Sequence, residues 1–247
     1  MTGSGSRPRA SSGGVAGFPR NGPTSAAASA LLARVPLFEG LPADAVERLA
    51  AASTFRRFRA GQQVFFQGDV ADAMYVVASG RLKVAVSSVR GDELVLAVLT
   101  VGDAVGELGA LDGMKRSAGV EALADAELLR IDAAVVNRLL RTYPRFAEAL
   151  TLSLCRLVRH LTGSSADLAF VDAPGRLARL LLELADSTGR AVVDLGLTQA
   201  GVASRIGTSR QTVNETLHTF QRRGWVQLRG REVLILEPDA LRRYAER

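Results

Sequence analysis

The stretch VGELGALDGMKRSA, Val105 to Ala118, sets a carboxylate, Glu107, nine residues before an arginine, Arg116, with Gly106 and Ser117 beside them. Two chemistries are open to such a set. Glu107 and Arg116 can pair with each other across a turn, which is the better reading of an isolated E-x8-R. Alternatively, a guanidinium and a hydroxyl can hold an anion, since both donate hydrogen bonds and one is charged. The spacing alone does not choose between them. A second group of interest lies in TSRQTVNETL, where Arg210, Gln211, Asn214 and Glu215 are side chains able to read base edges. Groups for metal or nucleophilic chemistry are scarce. His160 and His218 are the only histidines, and neither lies near a cysteine or carboxylate cluster with ligand spacing. His160 reads as a helix-surface residue, His218 as a recognition-helix or core residue, and Cys155 as a packed helix residue. An enzyme is therefore not expected.

Composition narrows the partners. The 247 residues carry a formal net charge of +6, and 29 of the 31 basic residues are arginine, with Lys83 and Lys115 the exceptions. A basic balance suits an acidic partner such as nucleic acid or an anionic membrane, or serves solubility alone. With Cys155 as the only cysteine, an intrachain disulfide is impossible and a cluster held by several cysteines is excluded. No run of 18 apolar residues and no apolar leader is present, so a cytoplasmic protein with no membrane partner is expected.

The elements that must position these groups follow from periodicity. Residues 1–30 are mostly Gly, Ser, Ala and Pro with Arg7, Arg9 and Arg20 and no acid, the composition of a disordered basic tail. Order is expected from Leu31, with helical spacing up to about Ser53 and Pro42 in a first helical turn. From Phe55 short β-branched runs alternate with Gly68, Gly80, Gly91 and Gly102, the turn spacing of an antiparallel sandwich or jelly roll. After Asp132 the period is helical again. A short helix ends at Pro144, and a long one runs from about Arg145 to Val171. Its seam of Ala147, Leu150, Leu154, Leu157, Leu161, Leu168 and Val171 steps by three and four, with Ser164 filling one gap, and is expected to pair with a second copy, the alternative being burial of part of it against the chain's own β-domain. Gly163, Ser164 and Ser165 should weaken the helix beyond Thr162. Pro174–Gly175 is expected to break the chain before a second domain, from about Ala173. That domain has 12 arginines against 8 acidic residues, a formal +4.

Within this domain Thr198 is placed to cap a helix running to about Ile206, Gly207 to make a tight turn, and Thr208 or Ser209 to cap a second helix. Val202, Ile206, Val213 and Leu217 fall where the two helices would bury them. WVQLRGREVLIL reads as a hairpin turning at Gly230. The order helix, glycine turn, helix and basic hairpin is a winged helix-turn-helix, whose second helix enters the major groove.

The β-rich segment with GELGALDGMKRSA, the long helix and the helix-turn-helix together resemble the cyclic-AMP receptor protein (CRP/FNR) superfamily of bacterial transcription regulators, from about Leu31 to the C-terminus. LAFVDAPGRLARLLLELA is similar to that family's hinge, TSRQTVNETL to its recognition helix, and the RGW-hairpin ending to actinobacterial members. The resemblance implies an α+β chain with a disordered tail (1–30), a cyclic-nucleotide-binding β-roll or jelly-roll (31–134), dimerisation helices and hinge (135–172) and a winged helix-turn-helix domain (173–247). It implies a ligand set of Gly106, Glu107, Leu108, Arg116 and Ser117, in which Arg116 and Ser117 hold a cyclic phosphate and Glu107 accepts from the ribose 2′-hydroxyl. Leu161 and Thr162 fall where family members that bind cyclic AMP often have two polar residues, and only Thr162 can hydrogen-bond. The implied DNA contacts are Thr198, Gln199, Ser209, Arg210, Gln211, Thr212, Asn214 and Glu215, with Arg210 on a guanine. Gln211 replaces the commoner glutamate and Glu215 a usual basic residue, so the operator is expected to depart from the family's TGTGA half-site. No cofactor or metal is expected beyond an allosteric nucleotide, cyclic AMP. The implied partners are double-stranded DNA, a second copy of the chain and RNA polymerase. The alternative is a regulator of the same fold that is independent of cyclic AMP or answers to a different ligand.

Overall fold

The computed structural model describes residues 25–230 and 232–246. Helix α1 (Ser25–Leu32) opens the described chain, followed by a 3-10 turn (Pro36–Phe38) and α2 (Ala43–Ala51). The expected tail of residues 1–30 is thus corrected at its C-terminal end, since Ser25 to Ala30 are helical, while residues 1–24 lie outside the described residues. The reason is burial: Ala28 and Leu32 are 2% and 0% exposed, in one cluster with Phe38 and Leu49.

Eight strands follow: β1 (Thr54–Phe58), β2 (Gln63–Phe65), β3 (Ala73–Ser79), β4 (Leu82–Ser87), β5 (Glu93–Leu99), β6 (Ala104–Val105), and, after the short helix α3 (Glu107–Asp112), β7 (Gly119–Ala122) and β8 (Ala126–Asp132). They form two antiparallel sheets, ordered β1-β8-β3-β6 and β2-β7-β4-β5. Alternation along β3 sends Tyr75 and Val77 into the space between the sheets, with Leu82, Val120 and Leu128. Met74 and Val76 point the other way, into a cluster with residues of α1, α2, α4 (Ala133–Thr142) and the start of α5 (Pro144–Phe170). Both faces of β3 are therefore covered, and its first five residues are all buried.

Helix α5 is continuous over 27 residues, through Gly163–Ser165. The N-terminal part of its leucine seam is packed inside the chain. Leu150 is 4% exposed and packs, with Leu154, into the cluster beneath β3, while Phe146 stacks on Phe38 at 5.7 Å between ring centroids. Leu168 lies against the turn at Gly207, where an added Cβ would meet its Cδ2 at 2.7 Å. The N-terminal part of the seam thus takes the alternative of burial against the chain's own β-domain, whereas Leu161 and Leu168 remain 37% and 42% exposed, so the chain itself covers only part of the stripe. Cys155 is exposed rather than packed. The break between α5 and α6 (Ala173–Thr188) falls at Val171–Asp172, and Pro174 and Gly175 sit in the first turn of α6, where proline costs no hydrogen bond. Asp172 caps α6, accepting from the Gly175 amide at 2.7 Å.

The C-terminal domain continues with β9 (Val192–Asp194), α7 (Gln199–Ile206), α8 (Arg210–Arg222), β10 (Val226–Arg229), β11 (Glu232–Ile235) and α9 (Pro238–Ala245). The wing hairpin β10–β11 gains a third strand, β9, that the sequence reading lacked. Val202, Ile206, Val213 and Leu217 are all buried between the helices as expected. The same cluster contains Ala85 and Val95 of the β-roll, so the two domains share buried side chains, and Arg81 pairs with Asp194 across them at 3.0 Å. Among the described residues no helix is long and apolar enough to cross a membrane.

Candidate ligand pocket and nucleic-acid interface

Gly106, Glu107, Leu108, Arg116 and Ser117 line one cavity of about 170 Å³ between the β-roll and α5. Gly106 follows β6 and caps α3 at φ 83°, and a Cβ there would meet Arg116 Nη1 at 2.5 Å, so glycine is required both by conformation and by the close approach of the arginine. Arg116 is 4% exposed. Its Nη1 donates to the Gly106 carbonyl at 2.8 Å, its Nη2 to the Ala73 carbonyl at 2.6 Å, and its guanidinium lies 4.1 Å from the centroid of the Phe65 ring. The buried Nε–H has no partner among the described residues. Its ion pair is a long one with Asp72 Oδ1 at 3.8 Å, and Glu107 is not within pairing distance. A simple Glu–Arg pair across the turn is therefore not what this loop builds.

Both charged groups are held out of water. Burial pulls the Arg116 guanidinium below its ordinary value, against the attraction of Tyr75, Asp72 and Asp69. Burial likewise pushes the Glu107 carboxyl up, its own amide and the Arg116 charge acting the other way. A buried cation with an unused donor is what an anion would complete.

Around the polar end lie Val84, Leu96 and Leu99, and α5 closes the cavity with Leu157, His160 and Leu161. Thr162 is not among these residues. One position past Leu161, it is rotated about 100° around the helix and lies exposed on the outer face of α5. His160, Phe65 and Asp72 were missed in the sequence because their roles depend on strands and helices distant along the chain.

The second site is built by α7 and α8. Thr198 accepts from the Gly201 amide at 3.2 Å and Ser209 from the Thr212 amide at 3.0 Å, so both hydroxyls cap helices, and Ser209 rather than Thr208 is the cap of α8. Gly207 makes the turn at φ 62°. Arg210, Gln211, Glu215 and His218 are exposed on the outward face of α8, with Asn214 and Thr212 half-buried. Gln211 Nε2 donates to Glu215 Oε1 at 2.8 Å. Thr198, Gln199 and Arg210 share a groove with Gly230 of the wing. The structure thus brings the expected DNA-facing residues onto one surface. It adds Arg176, whose guanidinium donates to the carbonyls of Ile206 at 2.6 Å, Gly207 at 3.2 Å and Val171, tying the hinge to the helix-turn-helix.

Comparison with known proteins agrees with this division. A family model of cyclic nucleotide-binding domains matches residues 55–143, and one of Crp-like helix-turn-helix domains matches residues 175–244. The CRP-like cAMP-activated global transcriptional regulator of Mycobacterium tuberculosis is 32% identical over 220 residues, 87% of this chain and 98% of that protein. The chain belongs to the CRP/FNR family of transcription regulators. Another family member, the cyclic AMP receptor protein of Thermus thermophilus, is 32% identical over 85% of this chain and 96% of its own length. Among solved structures, the c-di-GMP responsive regulator CLP of Xanthomonas campestris superposes with a TM-score of 0.69 at 26% identity, covering 78% of this chain and 99% of CLP. The two matched domains contain the polar end of the cavity and the α7–α8 surface described above.

Proposed function

We propose that the chain is a homodimeric DNA-binding regulator whose operator affinity is set by cyclic AMP in the β-roll cavity. The observation that carries this reading is Arg116, a buried guanidinium that lines the cavity, held by two carbonyls and a ring, with a buried Nε–H that has no partner among the described residues. The negative charge of a cyclic phosphate would offset the desolvation of that cation, Ser117 would add a donor, and Glu107 would accept from the ribose 2′-hydroxyl.

Coupling would run along α5. Its inward face carries Leu157, His160 and Leu161 at the cavity and, seven residues beyond Leu161, Leu168 at the Gly207 turn. A ligand that favours one seating of Leu161 would favour one seating of the helix-turn-helix, which is how differential binding shifts an equilibrium. Dimerisation is assigned to the outward stripe of α5, Thr151, Cys155, Val158, Thr162, Ser165 and Ala169, all exposed and spaced alternately by four and three. RNA polymerase is the partner through which such a regulator would act. The test is DNA affinity with and without cyclic AMP at one fixed salt concentration, alongside calorimetry of the nucleotide alone. Nucleotide binding that changes DNA affinity is expected, and no binding would remove the proposal.

A second reading keeps the DNA function with another ligand. It is favoured by the helix that closes the cavity, where Leu157 and Leu161 leave His160 as the single polar side chain α5 offers a base. Repeating the calorimetry with cyclic GMP and cyclic di-GMP separates the two.

A further inference from the structure

The outward face of α8 carries one acid among basic and neutral polar side chains. Arg210, Gln211, Asn214, Glu215, His218 and Arg222 line the same surface. A free carboxylate there faces two penalties on DNA: repulsion from phosphates, and repulsion from any base atom that only accepts hydrogen bonds. Glu215 does not lie free, because Gln211 Nε2 holds its Oε1 at 2.8 Å from one turn earlier. That bond leaves Oε2 as an acceptor and fixes the side chain in the first half of the helix, the part that reaches base edges.

We propose that Glu215, positioned by Gln211, is a base-specificity determinant that accepts a hydrogen bond from cytosine N4 in each operator half-site. This rests on the DNA-binding reading given above. The choice of base follows from the major-groove pattern. Guanine offers two acceptors and thymine an acceptor and a methyl group, so both repel or exclude a carboxylate. Adenine offers a donor, N6, with the acceptor N7 beside it. Cytosine alone offers a donor, N4, with no major-groove acceptor on the same base, its other groove-facing group being the C5–H, so a carboxylate approaching from that side meets no acceptor. Glu215 lies five residues, about 7.5 Å, along the helix from Arg210, so the two read different base pairs. Gln211 is a positioning residue for Glu215, and its own amide keeps one N–H and its oxygen for a neighbouring base.

The experiment is selection of binding sites from a random duplex library by the full-length protein, in the presence of cyclic AMP and in its absence, for the wild type, Glu215→Ala, Glu215→Gln and Gln211→Ala. Glu215 and Gln211 are exposed, so the variants keep their fold. The expected wild-type site has one invariant cytosine per half-site that Glu215→Ala releases, with discrimination at that column falling about ten- to a hundredfold and the other columns unchanged. Glu215→Gln should move that column from cytosine to adenine, since an amide can accept from N6 and donate to N7. Gln211→Ala should blur the same column. A site in which no column responds to Glu215→Ala, or in which the variant merely binds all sequences more tightly, overturns the assignment and makes Glu215 a repulsive charge near phosphate. Enrichment of no sequence by any form of the protein, with or without nucleotide, would instead remove the DNA-binding reading itself.

Discussion

Arg116→Ala separates what the arginine does for the fold from what it does for a ligand. The guanidinium supplies hydrogen bonds to the Gly106 and Ala73 carbonyls in a site that is 4% exposed. Alanine leaves both acceptors unpaired, at about 1–3 kcal/mol each where water cannot reach. Removing a cation that burial disfavours works in the opposite direction. A net loss of about 1–3 kcal/mol is therefore expected, a sizeable part of a stability on the order of 5–15 kcal/mol. Urea denaturation of the ligand-free protein reads this quantity. Nucleotide affinity should fall further, because the phosphate loses its buried charged partner, at about 2–5 kcal/mol. At about 1.4 kcal/mol per tenfold, that is roughly 30- to 4000-fold in calorimetry with cyclic AMP. Arg116→Lys keeps the charge but not the planar fork, and should bind with intermediate affinity while remaining folded. Affinity equal to wild type in either variant would refute the placement of the phosphate on Arg116.

The burial that pushes the Glu107 carboxyl up has a pH signature. A carboxyl raised on folding contributes stability that is present below its unfolded value and lost as pH rises through the folded one. Relative to wild type, ligand-free Glu107→Gln should thus gain stability as pH rises from the ordinary carboxylate value through the raised one and keep a constant advantage above it, and thermal-melt profiles parallel across that window would contradict this. For the dimer, Val158→Arg with Thr162→Arg should give monomers by light scattering with the fold intact, whereas Leu154→Lys should lower stability in the monomer itself. A persistent dimer in the double variant would rule out the outward stripe. Arg176→Ala strips donors from the Ile206, Gly207 and Val171 carbonyls and should reduce the effect of nucleotide on DNA affinity while leaving nucleotide binding measurable. An unchanged ratio of DNA affinities would remove Arg176 from the coupling.

Much of the molecule was legible in local pattern. Gly68, Gly80, Gly91 and Gly102 all take positive φ, so their regular spacing did mark turns. The caps at Thr198 and Ser209 and the four buried positions between α7 and α8 also follow from short-range rules. What escaped depends on where distant segments meet. Ser25 to Ala30 have the same small residues as the tail before them, and only the burial of Ala28 identifies a helix. The leucine spacing of α5 announces an apolar stripe but cannot say which surface covers each part of it, and a second stripe of mostly smaller residues carried no apolar signal. His160 has no motif around it, and reaches the cavity only because α5 crosses the mouth of the β-roll. Asp72 and Phe65 flank Arg116 from loops and strands more than 40 residues earlier, beyond any spacing rule.

Ala85 and Val95 belong to the same buried cluster as Leu177, Val202 and Phe220. A sensor and a reader joined in this way are not interchangeable parts. Grafting the β-roll onto another helix-turn-helix, or expressing residues 173–247 alone, would leave apolar surface on both halves that the natural pairing covers, and each would then favour aggregation over the soluble state. A working exchange would therefore have to match the residues around Ala85 and Val95 on β4 and β5 to the incoming reader, not only the hinge.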